Sequence, residues 1–113
     1  MKESPIFAKA YDMLFWVNNH TSRYPKSERF RLAKRIEDTA FMFYEQLLSA
    51  ALSKSIEDKR GILENADKGL KMLVVLFRLA KDNAHMTTKQ YLFISEGIVE
   101  LGKLLTAWKK KEQ

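Results

Sequence analysis

Leu63, Ala66, Leu70, Leu73, Phe77 and Ala80 recur in alternating steps of three and four along one stretch of the chain. This is the spacing of an α-helix with a single apolar seam, the kind that packs against other helices in an antiparallel bundle. Tyr91, Ile94, Ile98, Leu101, Leu105 and Trp108 repeat the pattern further on. Two earlier segments carry related faces: Phe7, Ala10, Tyr11, Leu14 and Val17 in the first, and Ala33, Ile36, Ala40, Phe43, Tyr44, Leu47 and Ala51 in the second. No strand-like alternation or Asn-Gly hairpin signal interrupts them. The expected fold is all-α, an antiparallel up-down four-helix bundle, with residues 1–113 forming one domain.

The punctuation between the segments agrees with four helices. Ser4 reads as an N-cap with Pro5 at the first helical position. Asn18 to Pro25 is a polar turn whose proline stops the first helix, and Ser27 or a neighbour is the expected cap of the second. Ser53-Lys54-Ser55 breaks the chain again, followed by Glu57 and Asp58 at the positive end of the third helix. Asn83-Ala84-His85 ends that helix. Thr87 and Gln90 then form a capping box for the fourth, with Met86 and Tyr91 as a hydrophobic staple. Gly97 and Gly102 each lower helix propensity by about 1 kcal/mol relative to Ala, which is tolerable where another backbone comes close. Lys109 to Lys111 complement the negative helix end or extend a basic surface.

Some apolar residues fall outside these seams. Met72, Val75, Leu76 and Leu79 form a second line on the third helix, counted at about 100° per residue to the far side of the first. Leu92, Val99 and Thr106 form a weaker one on the fourth. A helix apolar on two faces cannot sit at the rim of a small monomer without exposing a patch. Met72, Val75, Leu76, Leu79, Leu92 and Val99 are therefore read as an oligomer interface, the alternative being a more central position in the same bundle. Trp16 is expected to point away from the first seam, beside Lys9 and Asp12, either toward another chain or against a neighbouring loop.

Charge is unevenly spread. The chain has a net charge of +6, yet the run from Arg23 to Arg35 alone holds six Lys or Arg against one acid, a local +5. These cations are expected in the first turns of the second helix. Arg31, Lys34 and Arg35 share a side with Asp38 and repel one another unless something anionic lies over them. A solvated face partly neutralised by Glu37 and Asp38 is the plainer alternative. The positive balance points toward an anionic partner, whether RNA, DNA or an acidic protein surface, with basicity kept for solubility as the open alternative. A helix-turn-helix reader needs shorter helices at a steep angle, so contacts to phosphates with little sequence preference fit better.

Catalytic chemistry finds no support. There are no cysteines, which removes disulfides, thiolate metal sites and thiol nucleophiles and agrees with a reducing cytoplasm. A diiron bundle needs paired Glu-x-x-His motifs, whereas only Asp82 precedes a histidine, His85, by three. Glu96 and Glu100 form a carboxylate pair of the sort usually left in solvent. Both histidines, His20 and His85, fall in expected loops. No catalytic residue, metal ligand or cofactor is expected. The N-terminus lacks the form of a signal peptide, and the longest apolar run, Met72 to Phe77, is far short of the ~20 residues of a membrane span. A soluble, cytoplasmic protein is the expectation.

The stretch from Tyr24 to Asp38, Tyr-Pro-Lys-Ser-Glu-Arg-Phe-Arg-Leu-Ala-Lys-Arg-Ile-Glu-Asp, resembles the signature of the accessory variability determinant (Avd) proteins of diversity-generating retroelements. The likeness continues through Leu76-Phe-Arg-Leu-Ala80, Gln90-Tyr91 and Glu100 to Lys109, covering nearly the whole chain; Thr106 stands where the family commonly has glycine or another small residue. The resemblance implies a four-helix bundle assembled as a barrel-like homopentamer with a basic surface. It implies binding to the retroelement's reverse transcriptase and to nucleic acid, foremost the template RNA, in support of mutagenic cDNA synthesis and without catalysis of its own. By position, Arg23, Lys26, Arg29, Arg31, Lys34 and Arg35 become candidate contacts, with Arg78 a further one unless it pairs with Glu37 or Asp38. Proteins encoded in intervening sequences of bacterial large ribosomal RNA genes share the pentameric bundle, but their signature after the first helix is not found here.

Overall fold

The computed structural model describes residues 5–112. Four helices make up the fold: α1 (Pro5–Thr21), α2 (Leu32–Leu52), α3 (Ile56–Asp82) and α4 (Thr88–Lys111), with a 3₁₀ turn at Lys26–Glu28 between the first two. No strand occurs among the described residues. The long axis of 43 Å is close to the length of α3 alone, 27 residues at about 1.5 Å each. Helices α2 and α3 share the most extensive contact, α1 lies against α2 and α4, and α3 lies against α4. No helix in the described residues is long and apolar enough to cross a membrane.

The seams of α3 and α4 fall where their spacing puts them. Leu63, Ala66, Leu70, Leu73, Phe77 and Ala80 are all buried, as are Ile94, Ile98, Leu101 and Leu105, with Tyr91 and Trp108 half-buried at the ends. In α2, Ala50 rather than Ala51 ends the buried line, which Leu32 begins. Phe43 and Phe77 are the largest fully buried side chains, each worth roughly 1.5–3 kcal/mol of burial. At Gly69 a Cβ would lie 4.0 Å from that of Phe43, in ordinary contact, so α2 and α3 approach closely there.

Helix α1 is rotated from its expected phase. Ile6, Ala10, Met13 and Val17 face the core, Phe7 and Leu14 flank it, and Tyr11 is exposed. The apolar run from Met13 to Val17 allows either phase, and the chosen line is completed by His20 and Thr21, whose polarity hides them from a hydropathy count. Trp16 is consequently half-buried against the core and not free on the surface, with its ring edge-on to Phe77 at 5.9 Å. The N-cap expected at Ser4 lies outside the described residues.

The caps of the later helices explain their boundaries. The Ser55 hydroxyl accepts from the Asp58 amide at 3.3 Å. Thr87 and Gln90 close a full capping box, with bonds of 3.0 and 2.9 Å. After α3 the His85 amide donates to the Ala80 carbonyl at 2.8 Å and the Ala84 amide to Lys81 at 3.0 Å, the reciprocal pair of a Schellman ending. Ala84 holds the left-handed position that glycine normally takes, at φ 62°. An L-residue there costs roughly 1–2 kcal/mol. Ala84→Gly, which removes the strain but loosens the unfolded chain, should therefore raise stability by about 0.5–1 kcal/mol in urea unfolding. A loss of stability would show that the turn is unstrained.

Candidate nucleic-acid interface

The chain between Thr21 and Leu32 holds most of the candidate contact residues, and it is not helical in the way expected. Helix α2 starts at Leu32, with Arg31 at its N-cap and no side chain capping it. Cations oppose the positive end of a helix, and four of them would crowd the first turns of a helix begun at Ser27. The segment instead makes a short 3₁₀ turn, closed by Glu28 amide to Pro25 carbonyl at 2.9 Å and Arg29 amide to Lys26 carbonyl at 3.2 Å. Lys34 and Arg35 alone remain in the first turn of α2.

Three inward side chains pin this segment. Tyr24 is half-buried, with its hydroxyl 2.7 Å from Nε2 of His20. Glu28 is only 8% exposed, and its Oε2 accepts from His85 Nε2 at 2.9 Å. Leu32 enters the core. The aromatic groups stack in sequence: Trp16 on His20 at 4.6 Å, His20 edge-on to Tyr24 at 4.9 Å, and Tyr24 against His85 at 5.2 Å. His20 thus lies in the last turn of α1 and not in a loop, while His85 lies in the turn after α3 as expected and is held there against Glu28 and Tyr24. Burial, with the nearby Arg23 charge adding, pushes the His20 pKa below its usual value. Burial also pushes the Tyr24 phenol up, helped by the Glu28 charge. Neutral imidazole and protonated phenol suit one another, the phenol donating to Nε2.

Pinning the inward residues leaves the cations outside. Arg23, Lys26, Arg29 and Arg35 are exposed and make no ion pair among the described residues. Arg31 reaches only loosely to Glu28, at 3.8 Å, with its side chain 79% exposed. Lys34 bonds Asp38 at 2.7 Å, and that bond raises its pKa. Glu37 accepts from the Thr21 hydroxyl, and its charge adds to that of Asp38 in raising the Lys34 pKa. Arg35 is set apart from the loop along the α2–α3 groove, a cleft of about 490 Å³ that Lys68 also lines. Arg78 is exposed and pairs with neither Glu37 nor Asp38. Lys109, by contrast, is engaged within the bundle by Glu64 at 3.0 Å and Asp67 at 3.7 Å. Phe30, between Arg29 and Arg31, belongs to none of the apolar seams of the sequence and is 79% exposed. The Arg-Phe-Arg triplet was its only signal.

The apolar stripes divide. Val75, Leu79, Leu92 and Val99 are exposed, between 47% and 58%. Leu76 is not part of that surface: at 4% exposure it belongs to the protomer's own core. It lies about 60° around the helix from Leu73, inside the width of the buried stripe, whereas Val75 is about 160° away. Met72 is half-buried at the α2–α3 groove, packed on the core. A Cβ at Gly97 or Gly102 would meet nothing within the protomer, so no backbone of the same chain requires glycine there. Gly97 lines a groove of about 570 Å³ between α1 and α4, flanked by exposed Phe15 and Phe93. Among the described residues no group of three His, Cys, Asp or Glu is placed to hold a metal.

The sequence model of a family described as bAvd-like matches residues 6–112. Among curated proteins nothing matches the chain.

The depressed His20 pKa has a definite sign. A buried base held neutral adds nothing to instability above its unfolded value of 6.5, and stability is lost as the pH falls through the lower folded value. Thermal unfolding should show a midpoint that drops from pH 7.5 toward pH 5, with a shallower drop in His20→Phe; equal drops would remove His20 as the titrating group.

Proposed function

The chain belongs to the bAvd-like family, and from that premise we propose that it is a non-enzymatic accessory protein of a diversity-generating retroelement. In this reading it binds the element's reverse transcriptase and template RNA through the cations around the 3₁₀ turn, and supports mutagenic cDNA synthesis without chemistry of its own. The observation that carries the reading is the division of charge in that loop. Its one acid, Glu28, is drawn inside by His85, while Arg23, Lys26 and Arg29 stand exposed with no ion pair among the described residues. Unneutralised cations on a pinned backbone suit the phosphates of a polyanion, whose binding releases counterions.

The up-down arrangement belongs to the same proposal. It is supported by contacts between opposite ends of neighbouring helices: Glu112 beyond α4 with Arg60 and Lys59 near the start of α3, at 2.7 and 3.7 Å, and Glu28 before α2 with His85 after α3. Assembly into a homopentamer, the form the family resemblance implies, is supported by the exposed Val75 and Leu79 on α3 and Leu92 and Val99 on α4. Apolar ridges of this kind on a small protomer suit a subunit interface.

Arg23→Glu, Lys26→Glu and Arg29→Glu together should leave the helix content intact, because these side chains hold nothing inside the protomer. RNA affinity should fall, and the slope of log affinity against log salt should drop by about 2, at roughly 0.7 for each lost phosphate contact. cDNA yield with the reverse transcriptase should fall in parallel. Unchanged affinity and yield would remove these cations from the function. For the assembly, native mass spectrometry should give five protomers, and Val75→Asp with Leu79→Asp should release folded single chains. A wild-type mass of one protomer would overturn the pentamer.

A further inference from the structure

We propose that Phe30 is a stacking platform for an unpaired base of a single-stranded nucleic acid, with Arg29 and Arg31 beside it taking the adjoining phosphates. The proposal rests on the reading of this loop as a nucleic-acid contact and adds to it which form of nucleic acid the loop prefers. Phe30 is 79% exposed, level with Leu52 as the most exposed large apolar side chain among the described residues. It makes no ring contact among the described residues.

Its position is fixed by what faces the other way. Tyr24, Glu28 and Leu32 recur every four residues and turn inward, onto His20, His85 and the core. Arg29, Phe30 and Arg31 follow Glu28 directly, and their backbone is held by the Arg31 amide donating to the Glu28 carbonyl at 3.1 Å. The ring is therefore presented on an anchored loop, which limits the ordering cost of a contact to it. Arg31 is poised to exchange partners, since its contact with Glu28 is long, at 3.8 Å, and Glu28 keeps His85 when Arg31 leaves.

Cations alone attract any polyanion and do not separate single strands from duplex. An aromatic face does, because bases inside a duplex are covered by their neighbours and only an unpaired base offers its own π-face. Stacking of this kind tolerates every base and adds preference for strand form without preference for sequence. An acidic protein surface would use the same cations but would need an apolar socket for the ring. Charge complementarity together with a flat exposed ring favours the nucleic acid.

The test compares an unstructured RNA of about 12 nucleotides, a length within the range such sites cover, with a duplex of the same length. Phe30→Ala should weaken single-strand binding by about 5- to 50-fold, leave duplex binding within about 2-fold, and keep the salt slope of the wild type. Phe30→Trp should restore single-strand affinity, and the emission it adds to that of Trp16 and Trp108 should be quenched by the single strand but not by the duplex. If Phe30→Ala binds both forms as the wild type does, or loses both equally, the stacking role is overturned while the cation reading stands. If it loses reverse transcriptase capture with RNA affinity unchanged, the ring is a protein contact and the proposal also falls. If the wild type itself binds neither RNA at about 0.1 M salt, the functional reading and this inference fall together.

Discussion

The hydrogen bond between Glu28 and His85 ties the loop before α2 to the turn after α3 and decides which way the loop's charges point. Without it, the single acid of the segment would lie among the cations and neutralise one of them. With it, the carboxylate is taken from the surface and keeps only a loose contact of 3.8 Å to Arg31. The contact depends in turn on Ala84, whose left-handed conformation delivers His85 to the carboxylate. A strained turn at one place and an exposed set of cations at another are thus two ends of one arrangement. Tyr24 and His20 brace it from the α1 side, through a bond that suits a neutral imidazole.

Most of the bundle was legible because helix periodicity is a strong signal when the apolar positions are unambiguous. The seams of α3 and α4 lie on regular three-four steps, and the Thr87 capping box and the Ser55 cap are local chemistry that neighbouring residues settle. Departures in α1 and around the loop come from burial of groups that do not look apolar, or that look apolar in two phases. His20, Thr21 and Glu28 are buried polar groups satisfied by partners distant in sequence or a turn away, and no period reveals them. Leu76 sits at the margin of a stripe, where an idealised angle cannot separate core from surface. The loop was misread as helix because charge crowding at a helix start is a cost that propensity does not count.

Several acids of the surface are matched by lysines of the same protomer. Glu64, Asp67, Glu100 and Glu112 are spent on pairs that join or brace helices, with Lys109, Lys9 and Lys59 as partners. Such exposed pairs contribute only about 0–1 kcal/mol each to stability. The excess at the turn is set by its sequence, six Lys or Arg against one acid between Arg23 and Arg35. The exposed Leu79 and Leu92 flank in sequence the His85 turn that holds Glu28, and Val75 and Val99 lie further along α3 and α4.

The flat contact of the Trp16 indole on the His20 imidazole, at 4.6 Å and 17° between planes, gives the molecule an optical property of its own. A neutral imidazole leaves indole emission largely undisturbed, whereas a cationic one quenches it by accepting an electron. The brightness of Trp16 therefore reads the protonation of the residue that holds Tyr24, and with it the state of the anchor beneath the loop, without any label being attached.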